Sequence, residues 1–369
     1  MKEVTSMGNP ILEIDLARVS QNASVILGLC AKNGIAPTAV VKGYNNIDAI
    51  TRTIVSAGYT SLGSSRLPHL AAIRERGCPV RTMALRIPMQ SEAAELVRVA
   101  DVSLESEIET IALVNDEAGK AGGKKHGVVL MRDVGDLREG IFEEELFIET
   151  ACRVEKEFSN LYLEGIGTNL SCYGSVVPSN ENLSQLVACA REIESRIGRK
   201  LDVVSGGGST SIPLLLEPRK MPAGINHMRI GGAILLRSEI PGLPEGALPG
   251  LSDDTLTLRA EIIEIGEKPT HPVGELGIDC FGNRRTYEDR GVRRRALLAV
   301  GAFDIGDSSK LVPRDPGVRV LGASSDHTIV DIHDSAENYR LGDTMAFGLL
   351  YQSMLFATGN ALVEKRECD

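Results

Sequence analysis

Eight short apolar runs, most of them separated by stretches of helical periodicity, recur over the first two-thirds of the chain and leave it few possible folds. The runs are Thr38–Val41, Ser61–Gly63, Thr82–Arg86, Asp101–Leu104, Val128–Met131, Leu163–Gly167, Leu201–Val204 and His227–Ile230. Strands covered on both faces read as unbroken apolar runs, and strand–helix alternation builds parallel sheets. Eight such units predict a (β/α)8 barrel of the TIM type. The rhythm stops at the Pro- and Gly-rich stretch from Ser238 to Gly250. Beyond it, Thr255–Ile265, Arg295–Val300, Val318–Leu321, Thr328–Ile332 and Asp343–Phe347 read as strands between turns. The expected architecture is therefore α/β, with a barrel over 11–237 followed by a smaller all-β domain over 238–369 that residues 1–14 are expected to join. The 369 residues accommodate both, since such a barrel takes about 250 and a small β domain about 100.

Composition narrows the partners. A formal charge of −10 with no block of Lys or Arg argues against nucleic acid or an anionic membrane. Aromatic residues make up only 4%, which leaves little for a base-stacking platform. No apolar run of about 18 residues occurs and the first ten residues lack a signal pattern, so a cytoplasmic protein is expected. The seven cysteines show no disulfide framework and no CxxC pair, and read as reduced thiols that mostly fill the core.

Within that barrel, Ala39-Val40-Val41-Lys42 is an apolar strand ending on an amine, which would stand at the mouth where a carbonyl-capturing lysine belongs. Taken alone, a lysine there is more often simply solvated. Three other segments supply what a phosphate-bearing cofactor would need beside it. Ser205-Gly-Gly-Gly-Ser209-Thr210 offers backbone N–H groups and hydroxyls to a phosphate, or is a flexible turn. Met228-Arg229-Ile230-Gly231-Gly232 ends the eighth strand and aims Arg229 into the mouth, unless the arginine serves a structural salt bridge with Asp202 or Asp133. Asp133–Gly140 is a polar loop in which Arg138 can clamp a carboxylate, or an ordinary solvated loop.

In order and spacing, these segments resemble the alanine racemase family of fold-type III pyridoxal-phosphate enzymes, most closely its ornithine racemase-like branch. Thr168-Asn169-Leu170-Ser171-Cys172-Tyr173-Gly174, Gly322-Ala-Ser-Ser325-Asp326 and Tyr351 complete the match. The resemblance implies pyridoxal 5'-phosphate bound covalently by Lys42, with Ser209, Thr210, Gly231, Gly232 and Tyr351 on its phosphate and Arg229 facing its ring nitrogen. Arg138 and Asp326 would place the substrate carboxylate. It also implies a homodimer with shared active sites, and a basic amino acid such as ornithine or lysine as substrate.

The implied chemistry suits the residues. An arginine at the ring nitrogen does not accept its proton, which fits a reaction that only removes and returns the α-proton. Racemisation needs an acid/base group on each face of that carbon. Lys42 serves one. For the other the resemblance calls for a tyrosine, and Gly301-Ala302-Phe303-Asp304-Ile305 has alanine in its place. Cys280, in the loop Gly274–Gly282, is the candidate second group, because a thiol can give and take a proton; a core cysteine is the equal alternative. Cys172 and Tyr173 compete less well. No metal site is expected, because His271, His327 and His333 are poorly spaced for one. The competing functions are a decarboxylase or aldolase on the same barrel, which Arg229 disfavours, and a non-catalytic pyridoxal-phosphate carrier, which leaves the β domain unexplained.

Overall fold

The computed structural model describes residues 10–216 and 220–368. After β1 (Ile11–Asp15), eight strands follow in parallel: β2 (Ala36–Val40), β3 (Ser61–Ser64), β4 (Arg81–Ala84), β5 (Val102–Glu105), β6 (His126–Met131), β7 (Leu161–Thr168), β8 (Val203–Gly206) and β9 (His227–Ile230). They close into the expected barrel, with β9 returning to pair with β2. Their side chains are buried nearly throughout, which explains runs that are apolar rather than alternating.

The intervening helices are set by ordinary local signals. In Asn180–Ile197 the Ser179 hydroxyl accepts from the Asn182 N–H while the Asn182 side chain accepts from the Ser179 N–H, and Gly198 ends the helix in the left-handed region at φ 77°. Leu183, Leu186, Val187, Ala190 and Ile193 form its buried stripe at helical spacing.

The barrel interior has two chemically different walls. Met83, Val102, Leu104, Val129 and Met131 form an apolar cluster from β4, β5 and β6, joined by Leu85, Ile87 and Val203. The other wall, from β2, β3, β8 and β9, carries Thr38, Ser61, Ser205, His227 and Arg229, hydrogen-bonded to one another. At the strand-starting end, Arg81 donates to both oxygens of the buried Glu164 at 2.8 and 2.7 Å. Gly165 lies so close to Val203 of β8 that an added methyl would collide with its carbonyl.

The chain divides into two compact units, one of residues 17–252 and one of Met1–Leu16 with Asp253–Asp369. The division falls beyond the Arg237/Ser238 boundary read from the Pro/Gly-rich run. That run continues the first unit, where Asn22 exchanges hydrogen bonds with the backbone of Ser252. Of the 1–14 segment expected to join the β domain, 1–9 lie outside the described residues. β1 pairs antiparallel with the long strand β10 (Leu256–Pro269) and parallel with the final strand of the chain.

In that second unit, β10 is followed by β11 (Val292–Leu298), β12 (Leu311–Pro313), β13 (Arg319–Ala323), β14 (Thr328–Asp331), β15 (Thr344–Leu349) and β16 (Glu364–Cys368). The sheet order is β12-β15-β10-β11-β14-β13. Leu256, Leu258, Ala260 and Ile262 are buried at every second position of β10, the period of a strand with one face on a core. β15 pairs with the part of β10 up to Glu261 and β11 with the part from Ile262 onward, the latter pairing carrying a register shift between Ile262 and Glu264.

Backbone contact at Gly165 makes it a test of barrel packing. Gly165→Ala is expected to destabilise the protein by about 1–3 kcal/mol. Gly28→Ala, where an added methyl meets nothing within 4 Å inside a helix, should stabilise by about 0.5–1 kcal/mol. Denaturant unfolding followed by circular dichroism reads both.

Candidate active site at the mouth of the barrel

β2 ends at Val40, and Lys42 lies in the 3-10 turn Val41–Tyr44 just beyond it rather than on the strand. Two left-handed asparagines close that turn: the Asn45 N–H reaches Lys42 O at 3.2 Å and the Asn46 N–H reaches Val41 O at 3.0 Å. Asn46 Nδ2 donates to His69 O at 3.1 Å, and the His69 ring bridges Asn45 Oδ1 at 3.1 Å and Ser64 Oγ at 3.0 Å. The backbone under Lys42 is thus held from behind. Its Nζ makes no hydrogen bond or ion pair among the described residues. Burial lowers the Lys42 amine from its ordinary value, and the Arg138 charge lowers it further. Cys172 and Glu139 oppose the shift, and Arg229 adds to it. A partnerless amine depressed in this way is suited to nucleophilic capture of a carbonyl and to proton transfer.

Arg229 is only 8% exposed. The salt bridge considered with Asp202 or Asp133 does not form. Asp202 accepts from the Tyr162 hydroxyl at 2.6 Å, and Asp133 accepts from the N–H groups of Gly135 and Leu137. Arg229 instead donates through Nη1 to Ser205 Oγ at 2.5 Å and through Nη2 to Thr168 O at 2.6 Å. Burial lowers its guanidinium to about 10, with Glu139 and Cys172 opposing, so it stays cationic near neutral pH.

Ser209 and Thr210 begin a 3-10 turn directly after the glycines that follow β8, and Gly232 begins a short helix after β9. The two turns are stitched together, since Ser209 Oγ accepts from the Ala233 N–H at 3.2 Å. Gly207 has φ +97°, and an added methyl on Gly208 would stand 2.9 Å from Arg229 O. Only glycine lets this turn follow the neighbouring strand so closely. Lys42, Ser209, Thr210, Arg229, Gly231 and Gly232 therefore share one barrel and its strand-ending side.

After β6, the Asp136 carboxylate receives the N–H groups of Tyr173 at 2.9 Å, Val176 at 3.2 Å and Cys172 at 3.3 Å. Burial alone would raise this carboxyl, but those N–H groups with that of Gly174 hold it below the ordinary range. The loop after β7 is thereby tied to the loop after β6. Arg138 is not an open clamp: it is ion-paired with Glu139, Nη2 to Oε1 at 2.5 Å. Among the described residues, the buried Thr168 Oγ1, Asn169 Nδ2 and Ser211 Oγ have no hydrogen-bond partner.

Cys280, Asp326 and Tyr351 belong to the β unit. Cys280 is exposed, next to Asp279, which gathers the N–H groups of Phe281 and Asn283 and the Arg285 guanidinium. Asp326 is exposed, accepts from Ser325 Oγ at 2.7 Å, and packs against Gly301 beside Ala302. Tyr351 opens the helix Tyr351–Gly359. All seven cysteines are free, but only Cys30 and Cys189 are buried, so the thiols are not mostly core filler. Among the described residues no group of three or more His, Cys, Asp or Glu is arranged to hold a metal ion.

Ser205, His227 and Glu139 were not singled out as site residues from the sequence. A period of two places His227 beside Arg229 on the same face of β9, and this signal was available. No residue pattern announced that Glu139 would face Arg138.

The family described as alanine racemase, N-terminal domain, matches residues 14–238, more than half of the chain. An ornithine racemase of Acetoanaerobium sticklandii is 39% identical over 96% of this chain and 99% of its own length. A lysine racemase of Thermotoga maritima is 36% identical over 96% of this chain and 98% of its own. In fold, the chain is similar to an alanine racemase of Bartonella henselae solved with covalently bound pyridoxal phosphate, with a TM-score of 0.72 at 17% identity, covering 98% of this chain and 100% of that one. The chain belongs to the alanine racemase family and is an amino-acid racemase.

Proposed function

We propose that this racemase depends on pyridoxal 5'-phosphate and interconverts the isomers of a basic amino acid of the ornithine or lysine type. The observation that carries the reading is the partnerless, depressed amine of Lys42 on the same barrel mouth as Arg229. The relatives named for ornithine and lysine, matched over nearly their whole lengths, support the substrate class. The reading extends to a cytoplasmic homodimer whose β units complete the active sites, with no nucleic acid or membrane as partner.

The residues present fit the cofactor. Lys42 Nζ is free to bond its aldehyde, and the turn at Gly207 and Gly208 is bare of side chains, as close approach of a phosphate requires. Ser209, Thr210, Gly231 and Gly232 would hold that phosphate together with Tyr351. Thr168 Oγ1 and Asn169 Nδ2 are buried with unmet hydrogen-bonding capacity on the same side. When bound, pyridoxal phosphate would supply an electron sink that acidifies the α C–H bond of the amino acid.

The chain's own residues then have separate tasks. Lys42 removes the α-proton from one face, or returns it there. Arg229 would face the ring nitrogen of the bound cofactor and, as a permanently protonated group, would donate a hydrogen bond there without releasing a proton. Arg138 would take the α-carboxylate, which Asp326 would help to place through its backbone N–H rather than its own acceptor-only carboxylate, and Glu139, released from Arg138 as substrate enters, would take the distal ammonium of a basic side chain. Cys280 is the proposed acid/base for the opposite face, where Ala302 stands in place of the expected tyrosine.

The direct test is chiral analysis after adding single amino acids to cofactor-loaded protein. Ornithine and lysine should racemise fastest; absence of racemisation with every amino acid would remove the reading and restore the carrier alternative. Glu139→Gln should raise KM for ornithine or lysine about tenfold and leave KM for alanine nearly unchanged, as expected for loss of one charge-assisted contact. Cys280→Ala should abolish racemisation while keeping α-proton exchange of one isomer; racemisation at the wild-type rate would exclude this thiol. In cofactor-free protein, the pH dependence of Lys42 acylation should have a midpoint below the usual 10.5. Arg138→Met should move that midpoint upward, because it removes a charge that lowers it.

A further inference from the structure

We infer that His227 and Ser205 are positioning residues that hold the Arg229 guanidinium in place through a hydrogen-bond chain of fixed polarity crossing the barrel wall. The inference rests on the proposed placement of Arg229 at the cofactor ring nitrogen and adds to it the device that keeps the guanidinium there.

The chain runs through four strands. Arg229 Nη1 lies 2.5 Å from Ser205 Oγ, Ser205 Oγ lies 2.8 Å from His227 Nδ1, His227 Nε2 lies 2.9 Å from Thr38 Oγ1, and Thr38 Oγ1 lies 2.7 Å from Ser61 Oγ. Ser205, His227, Thr38 and Arg229 are all buried, so each donor left unmade would carry a desolvation cost. The guanidinium has only donors, which forces Ser205 Oγ to accept from it. Ser205 then has one proton to give, and among the described residues His227 Nδ1 is its only other partner. Ser205 therefore donates to Nδ1, which must be bare. His227 must carry its proton on Nε2 and donate to Thr38, and Thr38 in turn donates to Ser61. The opposite polarity leaves the Ser205 hydroxyl proton buried without an acceptor.

This order also requires a neutral ring, because an imidazolium has a proton on both nitrogens and cannot accept from Ser205. Burial, then the charges of Arg229 and Arg81, lower His227 to about 3, so the ring stays neutral across the working range. Nδ1 is thus a fixed acceptor that orients the Ser205 lone pairs toward Arg229, while Thr168 O fixes the other terminal nitrogen. Two anchors on β7 and β8 leave the guanidinium little freedom to swing toward Glu139 or out of the mouth.

The experiment begins with cofactor-free wild-type protein labelled with ¹⁵N-histidine. The His227 ring should give the pattern of a neutral Nε2–H tautomer, unchanged from about pH 5 to about pH 9. A Nδ1–H tautomer, or a ring that becomes cationic in that interval, overturns the inference. The second part uses cofactor-loaded variants. His227→Leu and Ser205→Ala should lower kcat about tenfold, leave KM for the amino acid within about twofold, and shift the absorption band of the bound cofactor. His227→Asn, whose amide oxygen replaces Nδ1 as acceptor, should restore most of kcat and the wild-type band. Leucine and asparagine variants equal to each other, or a change confined to KM, would refute a positioning role. Failure of the racemase reading itself would be seen separately, as wild-type protein that neither binds the cofactor nor racemises.

Discussion

A positive charge kept inside a closed barrel is the constraint around which the first unit is arranged. Taking a guanidinium out of water costs several kcal/mol unless its donors find acceptors, and Arg229 meets two of them, Ser205 Oγ on the neighbouring β8 and Thr168 O at the end of β7. The rest of its wall follows from this requirement. Thr38, Ser61, Ser205 and His227 occupy inward positions on β2, β3, β8 and β9, whereas the opposite wall is filled by Met83, Val102, Leu104, Val129 and Met131. Closure of the barrel makes the first and last of its strands neighbours, with Thr38 of β2 in register with Arg229 of β9. Lys42, on the turn that leaves β2, thereby comes to the same side of the mouth as the buried cation, and that cation contributes to its depressed amine.

The turn chemistry at the rim serves the same end. The role proposed for Lys42 requires its backbone to stay put while its amine stays free, and the left-handed pair Asn45 and Asn46 with His69 provides the first without touching the second. Asp136 plays a comparable part for the loop after β7, where three N–H groups converge on its carboxylate. Racemisation further demands two groups of suitable acidity on opposite faces of one carbon. The barrel supplies a clear candidate for one face. For the other, Ala302 removes the expected phenol, and the proposed replacement, Cys280, sits in a loop organised by Asp279 and Arg285.

Much of the fold is legible because burial on both faces leaves an unmistakable apolar run, and each of the eight runs from Thr38–Val41 to His227–Ile230 became a barrel strand. The strands β12 and β16 were invisible: Leu311–Pro313 is three residues long, and Glu364–Cys368 has no buried residue to give it a pattern. The step from strand to 3-10 turn at Val41 also escaped, since Val41 is as apolar as the strand it follows. Among the candidate site residues, Lys42 and Arg229 announce themselves by placing charge at the end of apolar runs. The partners of Arg229 do not, because a salt bridge with Asp202 or Asp133 and a neutral hydrogen-bond chain are equally compatible with the sequence. Only the inward positions of Ser205 and His227 decide between them.

The most direct measurement is loss of the α-proton in heavy water, compared between wild-type and Lys42→Ala protein, each supplied with cofactor and a single isomer of ornithine. Wild-type protein should exchange the proton and release the other isomer, and Lys42→Ala should do neither beyond the rate of the free cofactor. Exchange and racemisation surviving in Lys42→Ala would contradict the central assignment and move the proton chemistry elsewhere on the chain.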